Sequence, residues 1–186
     1  MHKRDVSLAG YDFFTSYVGP SESTYMYKAL MSATITRDHL LGAAQSLCDD
    51  FATQKDVTTL LSHFTAFEPE AFEHGEPFLA PFLGRKFVGI QGVQSYFELL
   101  EKHLTYRSMR FSEYIVDVNE KKVAVKGQAA FTWIITDETW DETFTYSLDF
   151  DENLKVKRYQ VWADSGAAYL AKIGELDQKR KGSSRS

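Results

Sequence analysis

The chain has 186 residues, 44% of them hydrophobic and 25% charged, which excludes disorder of the whole and favours one domain built around one core. Net charge is −5, and setting apart Lys179, Arg180, Lys181 and Arg185 near the end leaves a still more acidic body, which repels phosphate backbones and excludes nucleic acid as a partner. A lone cysteine forbids a disulfide framework or a thiolate metal cage, no stretch reaches the ~18–20 consecutive apolar residues of a membrane span, and residues 1–10 lack a secretory signal, so a cytoplasmic protein with no membrane contact is expected.

Residues 1–35 mix Gly, Ser, Thr and Tyr without a sustained period and read as a poorly ordered extension. Thr36 is a plausible N-cap, and Leu40, Leu41, Ala44, Leu47, Cys48 and Phe51 then recur on one stripe, which predicts a helix over 37–54. Asp56 caps a second, short helix with Val57, Leu60, Leu61 and Phe64 on its apolar side. Residues 64–81 carry four Phe, three Pro and the run Glu73-His-Gly-Glu76, a mixture that suits short strands and loops around a pocket mouth. Gly89 and Gly92 mark the turn into a third helix over 93–104, striped by Val93, Tyr96, Phe97, Leu100 and Leu104.

Four strands follow, over 106–118, 122–136, 139–150 and 154–163. The third alternates throughout, with Trp140, Glu142, Phe144, Tyr146, Leu148 and Phe150 facing one way and Asp141, Thr143, Thr145, Ser147 and Asp149 the other. A short helix over 167–173 and a basic polar tail over 175–186 close the chain. Helices first and a meander last make an α+β pattern: a curved antiparallel sheet wrapped around helices, a cone over residues 36–174 whose open end is an internal pocket. The aromatic share, 15%, supplies either a dense core or the walls of such a pocket.

Two stretches resemble the SnoaL-like group of the nuclear transport factor 2-like superfamily, whose relatives include ketosteroid isomerases, polyketide cyclases and scytalone dehydratase. One is GRKFVGIQGVQSYF over 84–97, similar to that family's glycine-punctuated entry into its third helix. The other is LDFDENLKV over 148–156 with YQVWAD over 159–164. The resemblance implies a cone fold, a homodimer through the outer sheet surface, and cofactor-free isomerisation, cyclisation or dehydration of a hydrophobic carbonyl compound. It also implies an alternative, since the same fold serves as a non-catalytic ligand-binding or assembly module with a filled cavity.

In related isomerases a catalytic carboxylate lies between the early helices and the glycine-rich turn, and here that place holds His74. An imidazole titrating near ~6.5 can take a proton from a carbon acid, with Glu73 or Glu76 fixing its tautomer; otherwise His74 is a solvated loop residue. Glu142 stands on the apolar face of its strand, where burial raises a carboxyl toward its acid form and lets it donate to an enolate; otherwise it reaches water from an edge. Trp133, Tyr146, Tyr159 and Trp162 either line the pocket as ligand-binding residues or fill the core and the dimer sheet surface. Asp164 resembles an acid often found at the end of the family's last strand, and equally suits the N-cap of the helix that follows. His63, His74 and His103 lack metal-ligand spacing, so no metal is expected, and no nucleotide-binding or serine-nucleophile motif occurs, so no cofactor is expected.

Overall fold

A computed structural model describes residues 34–183. All but the last two residues of the expected N-terminal extension, 1–35, lie outside that range. Helix α1 (Arg37–Ala52) opens with a capping box, in which Thr36 Oγ1 accepts from the His39 N–H at 3.3 Å and the His39 ring accepts from the Thr36 N–H at 3.3 Å. Leu40, Ala44, Leu47, Cys48 and Phe51, spaced to fall on one stripe, are its buried side. Asp56 caps α2 (Val57–Leu61), its carboxylate accepting from the Thr59 N–H at 2.8 Å.

The sequence between 64 and 89 forms two short strands, β1 (Glu70–Glu73) and β2 (Lys86–Val88). Helix α3 (Gly89–His103) starts four residues earlier than its apolar stripe predicts, because Gly89, at φ 77°, turns straight out of β2 into the first turn. The strands β3 (Leu104–Asp117), β4 (Lys122–Trp133), β5 (Thr139–Phe150) and β6 (Val156–Trp162) make the expected meander. After it come α4 (Ser165–Lys172) and α5 (Leu176–Ser183), so the residues read as a polar tail carry a helix whose first residue, Leu176, is buried.

The sheet runs β2-β1-β6-β5-β4-β3. It differs from the expected all-antiparallel sheet in one respect. β1 adds to the free edge of β6 in parallel, Ala71 opposite Tyr159 and Glu73 opposite Val161, and β2 closes that edge as an antiparallel partner of β1. Four-residue strands carry too little periodicity to reveal this pairing in sequence. At the far edge, register shifts in β3 between Arg107 and Arg110 and between Ser112 and Ile115 bend the strand, with Ser108 and Glu113 at φ 56°. The bend turns the apolar face of the sheet around α1 and α3. Alternate residues of β4 and β5 enter this core: Val123, Val125, Trp133, Trp140, Phe144, Tyr146 and Leu148 are buried with Phe51, Tyr96 and Phe97. Gly127 is required there, since a Cβ at that position would lie 2.1 Å from the Phe144 ring opposite it.

Candidate active site

Strand β1 presents Ala71 and Glu73 to the core side and Phe72 and His74 to the other, as period-two alternation demands. Helix α3 buries Tyr96 beneath Glu73, and the Tyr96 hydroxyl donates to Glu73 Oε2 at 2.6 Å. Burial pushes the Glu73 carboxyl up to about 7; the Tyr96 hydrogen bond opposes the rise and the charge of Glu142 adds to it. From β5, Glu142 enters the same cavity between Trp140 and Phe144. Trp140 Nε1 donates to Glu142 Oε2 at 2.6 Å, while Glu142 Oε1 is buried with no hydrogen-bond partner. Burial likewise lifts this carboxyl to about 7, with the Trp140 indole opposing and the Asp164 carboxylate adding.

The cavity measures about 80 Å³. Trp133, Phe144, Tyr146 and Tyr159 form its sheet wall, and Leu79, Phe82 and Leu83 of the loop before β2 face them, with Ala168 and Tyr169 of α4 at the rim. Hydrogen bonds fix that rim: Trp133 Nε1 donates to the Ala168 carbonyl at 2.7 Å and Lys172 Nζ to the Leu79 carbonyl at 2.8 Å. Tyr96, Tyr146 and Tyr159 are buried together, rings 4.8–6.0 Å apart where they meet, and burial holds all three phenols well above their ordinary range. They are therefore neutral donors at any pH near 7. Two carboxyls balanced near neutrality in one apolar chamber can divide the labour, one taking a proton as the other gives one.

Of the residues singled out in the sequence, Glu142, Trp133, Tyr146 and Tyr159 line this cavity. Asp164 caps α4, its Oδ1 accepting from the Gly166 N–H at 2.8 Å, as one of its two expected roles requires, and it also lines the cavity. His74 also lines the cavity, and Trp162 does not. Trp162 is 44% exposed, and the His74 ring stacks on it at 4.0 Å and 13°, with Nε2 3.2 Å from Gln160 Oε1. His74 thus borders the cavity while its ring meets the outer-face Trp162, and Glu73, one residue earlier and of opposite direction along the strand, is the carboxyl that Tyr96 holds inside. Sequence reasoning cast Glu73 as an aid to His74 and read Tyr96 as plain core. The usable signal was the alternation Ala71, Glu73 against Phe72, His74, which needs the strand to be recognised first.

Among the described residues no group of three or more His, Cys, Asp or Glu side chains is placed to hold a metal ion, and no helix is long and apolar enough to cross a membrane. No family model matches the sequence, and no curated protein matches it. Solved structures do match. An NTF2-like protein of unknown function from Burkholderia pseudomallei superposes with a TM-score of 0.62 at 13% identity, covering 72% of this chain and 96% of that one. TerC, co-crystallised with polyporic acid, gives 0.61 at 18% identity over 72% of this chain and 97% of its own. The pinacolase BvnE from Penicillium brevicompactum gives 0.56 at 16% identity over 78% and 98%. The chain has the nuclear transport factor 2-like α+β cone fold.

Proposed function

We propose that this protein is a cofactor-independent enzyme that moves a proton within a small hydrophobic carbonyl compound, as an isomerase, cyclase or dehydratase does. The observation that carries this reading is the pair Glu73 and Glu142, each with a carboxyl near pH 7 and both lining one apolar cavity. Glu73, ionised, takes a proton from the carbon beside the carbonyl. The electron pair of that C–H bond becomes the new C=C bond, the carbonyl π pair moves onto the oxygen, and Glu142, protonated, donates there to give the enol; the reverse transfers return a carbonyl compound. Tyr96 holds the Glu73 carboxylate in place and Trp140 holds one oxygen of Glu142, leaving Oε1 unpartnered for the ligand. The names of two fold neighbours, a pinacolase and a protein crystallised with polyporic acid, agree with chemistry on oxygenated carbon skeletons.

The test needs no knowledge of the physiological substrate. Small cyclic ketones and 1,3-diketones in D2O, followed by NMR, report exchange of the hydrogens beside the carbonyl. The protein is expected to accelerate exchange, Glu73→Gln to lower the rate by about 10²–10⁴-fold, and His74→Ala to leave it unchanged. Exchange no faster than in buffer, or undiminished in Glu73→Gln, overturns the assignment. The modest cavity, about 80 Å³ among crowded aromatic rings, favours a second reading as a non-catalytic binding module, which stoichiometric ketone binding without exchange would establish. Either reading carries a homodimer through the outer sheet face, where Trp162, Phe72 and His74 cluster beside the exposed Thr143 and Thr145.

A further inference from the structure

Behind the cavity of Glu73 and Glu142 lies a second and larger one, about 320 Å³, between the C-terminal end of α1, α3 and the start of β3. Four side chains, Leu100, Leu104, Phe131 and Tyr146, line both. The two hollows are therefore divided by a single layer of side chains, three of them without polar atoms and the fourth, Tyr146, hydrogen-bonded to Tyr159. Apart from this layer the walls of the second mix apolar side chains, Phe51, Leu60, Phe97 and Met109, with polar ones toward the exposed edge. It opens to solvent, with Gln54, Lys55, Glu101 and Thr105 exposed at its edge.

The mouth of this second cavity is also built. Gln54 Nε2 donates to the Tyr106 carbonyl at 3.0 Å and the Tyr106 hydroxyl donates to the Phe51 carbonyl at 2.9 Å, so the end of α1 is tied to β3 across the opening. Lys55 and Glu101, of opposite sign, are the charged residues that line it. Their charges offset, which favours an uncharged ligand end over a carboxylate or an amine.

We infer that the two cavities hold one molecule: an elongated, uncharged carbonyl compound whose carbonyl end lies between Glu73 and Glu142 and whose aliphatic tail passes the Leu100, Leu104, Phe131 and Tyr146 layer into the larger chamber. This rests on the proposed function for the placement of the carbonyl, while the tail chamber is set by the second cavity alone. Tail burial contributes binding in proportion to the methylenes removed from water, roughly fourfold in affinity for each.

The experiment is calorimetric titration with a series of 2-alkanones from butan-2-one to decan-2-one. The dissociation constant is expected to fall roughly fourfold per added methylene once the chain outgrows the first cavity. Met109→Trp and Thr105→Phe alter residues that line only the second cavity. Each is expected to stop the gain with chain length while butan-2-one binds as before, and unchanged butan-2-one binding certifies that the variant has folded. Affinity independent of chain length, no binding at any length, or a gain that persists in both variants overturns the inference. Hydrogen exchange in the same ketones separates the two proposals: a chain-length gain without exchange removes the catalytic reading and keeps the tail chamber, whereas exchange without a gain does the reverse.

Discussion

Glu73 and Glu142 are acids kept partly protonated at neutral pH, and that has a consequence for stability as well as for chemistry. Each has a folded-state pKa of about 7 against an ordinary 4.5, because burial disfavours its charge. The folded protein therefore holds protons that the unfolded chain releases between pH 4.5 and 7. Below pH 4.5 the two states bind alike and nothing is lost; through the window stability falls as pH rises; above 7 the full penalty, up to roughly 3 kcal/mol for a carboxyl moved that far, is in place. Glu142→Gln keeps an oxygen for the Trp140 indole and has no charge to bury. Its melting temperature is expected to exceed that of the unaltered protein by several degrees at pH 8 and to match it at pH 4.5, as scanning calorimetry across the window would show. A gain equal at both pH values would mean the effect is not titration of this carboxyl. Of these two acids the sequence displays only Glu142 openly, a charge breaking a clean apolar alternation. Glu73 is hidden beside a histidine in a four-residue strand, and its inward direction is a property of the sheet edge it joins.

The long elements are legible because their periods are long. The stripe of α1, the twelve-residue alternation of β5 and the cap at Asp56 each follow from local chemistry, and the observed boundaries lie within a few residues of those read from the sequence. What fails to show is pairing at a distance: β1 with β6, β2 with β1, and α5, whose anchoring comes from the Leu176 N–H donating to Glu138 Oε2 at 2.9 Å rather than from its own composition. Strands β4 and β5 are also locked to each other by a small residue facing a large one. A methyl group at position 127 would overlap the Phe144 ring, and Phe144 lies both in the core and in the cavity wall. Gly127→Ala is expected to destabilise by about 1–3 kcal/mol in urea denaturation, with the slope of the transition unchanged, and to weaken ketone binding as Phe144 is displaced. Stability within a few tenths of a kcal/mol of the original would show that the ring has room to move.

At the scale of the molecule, the sheet has two faces of different character. The concave face carries the core and both cavities; the convex one is a field of Thr, Gln and Lys side chains, interrupted at one side by Trp162, Phe72 and His74. The composition foretold wide aromatic walls without saying which face would receive them, and most were placed inside by alternation alone. If the aromatic cluster on the convex face seats a second copy, light scattering will give twice the chain mass, and Trp162→Glu will halve it with the circular dichroism spectrum intact. A chain that is monomeric before the substitution removes the dimer from the reading.

The parallel junction of β1 and β6 also joins two segments that are made at very different times during synthesis. His74 and Gln160 meet across 86 positions of sequence, with most of the meander between them. A nascent chain that has emerged only as far as α3 has its Glu73 as an ordinary solvated carboxylate, with neither Val161 opposite it nor Glu142 nearby. Long-range pairings of this kind form late because the loop they close must be ordered first. A chain that stops before β6 lacks the strand that sets Glu73 opposite Val161, so the placement of Glu73 beside the core depends on the last strand of the sheet.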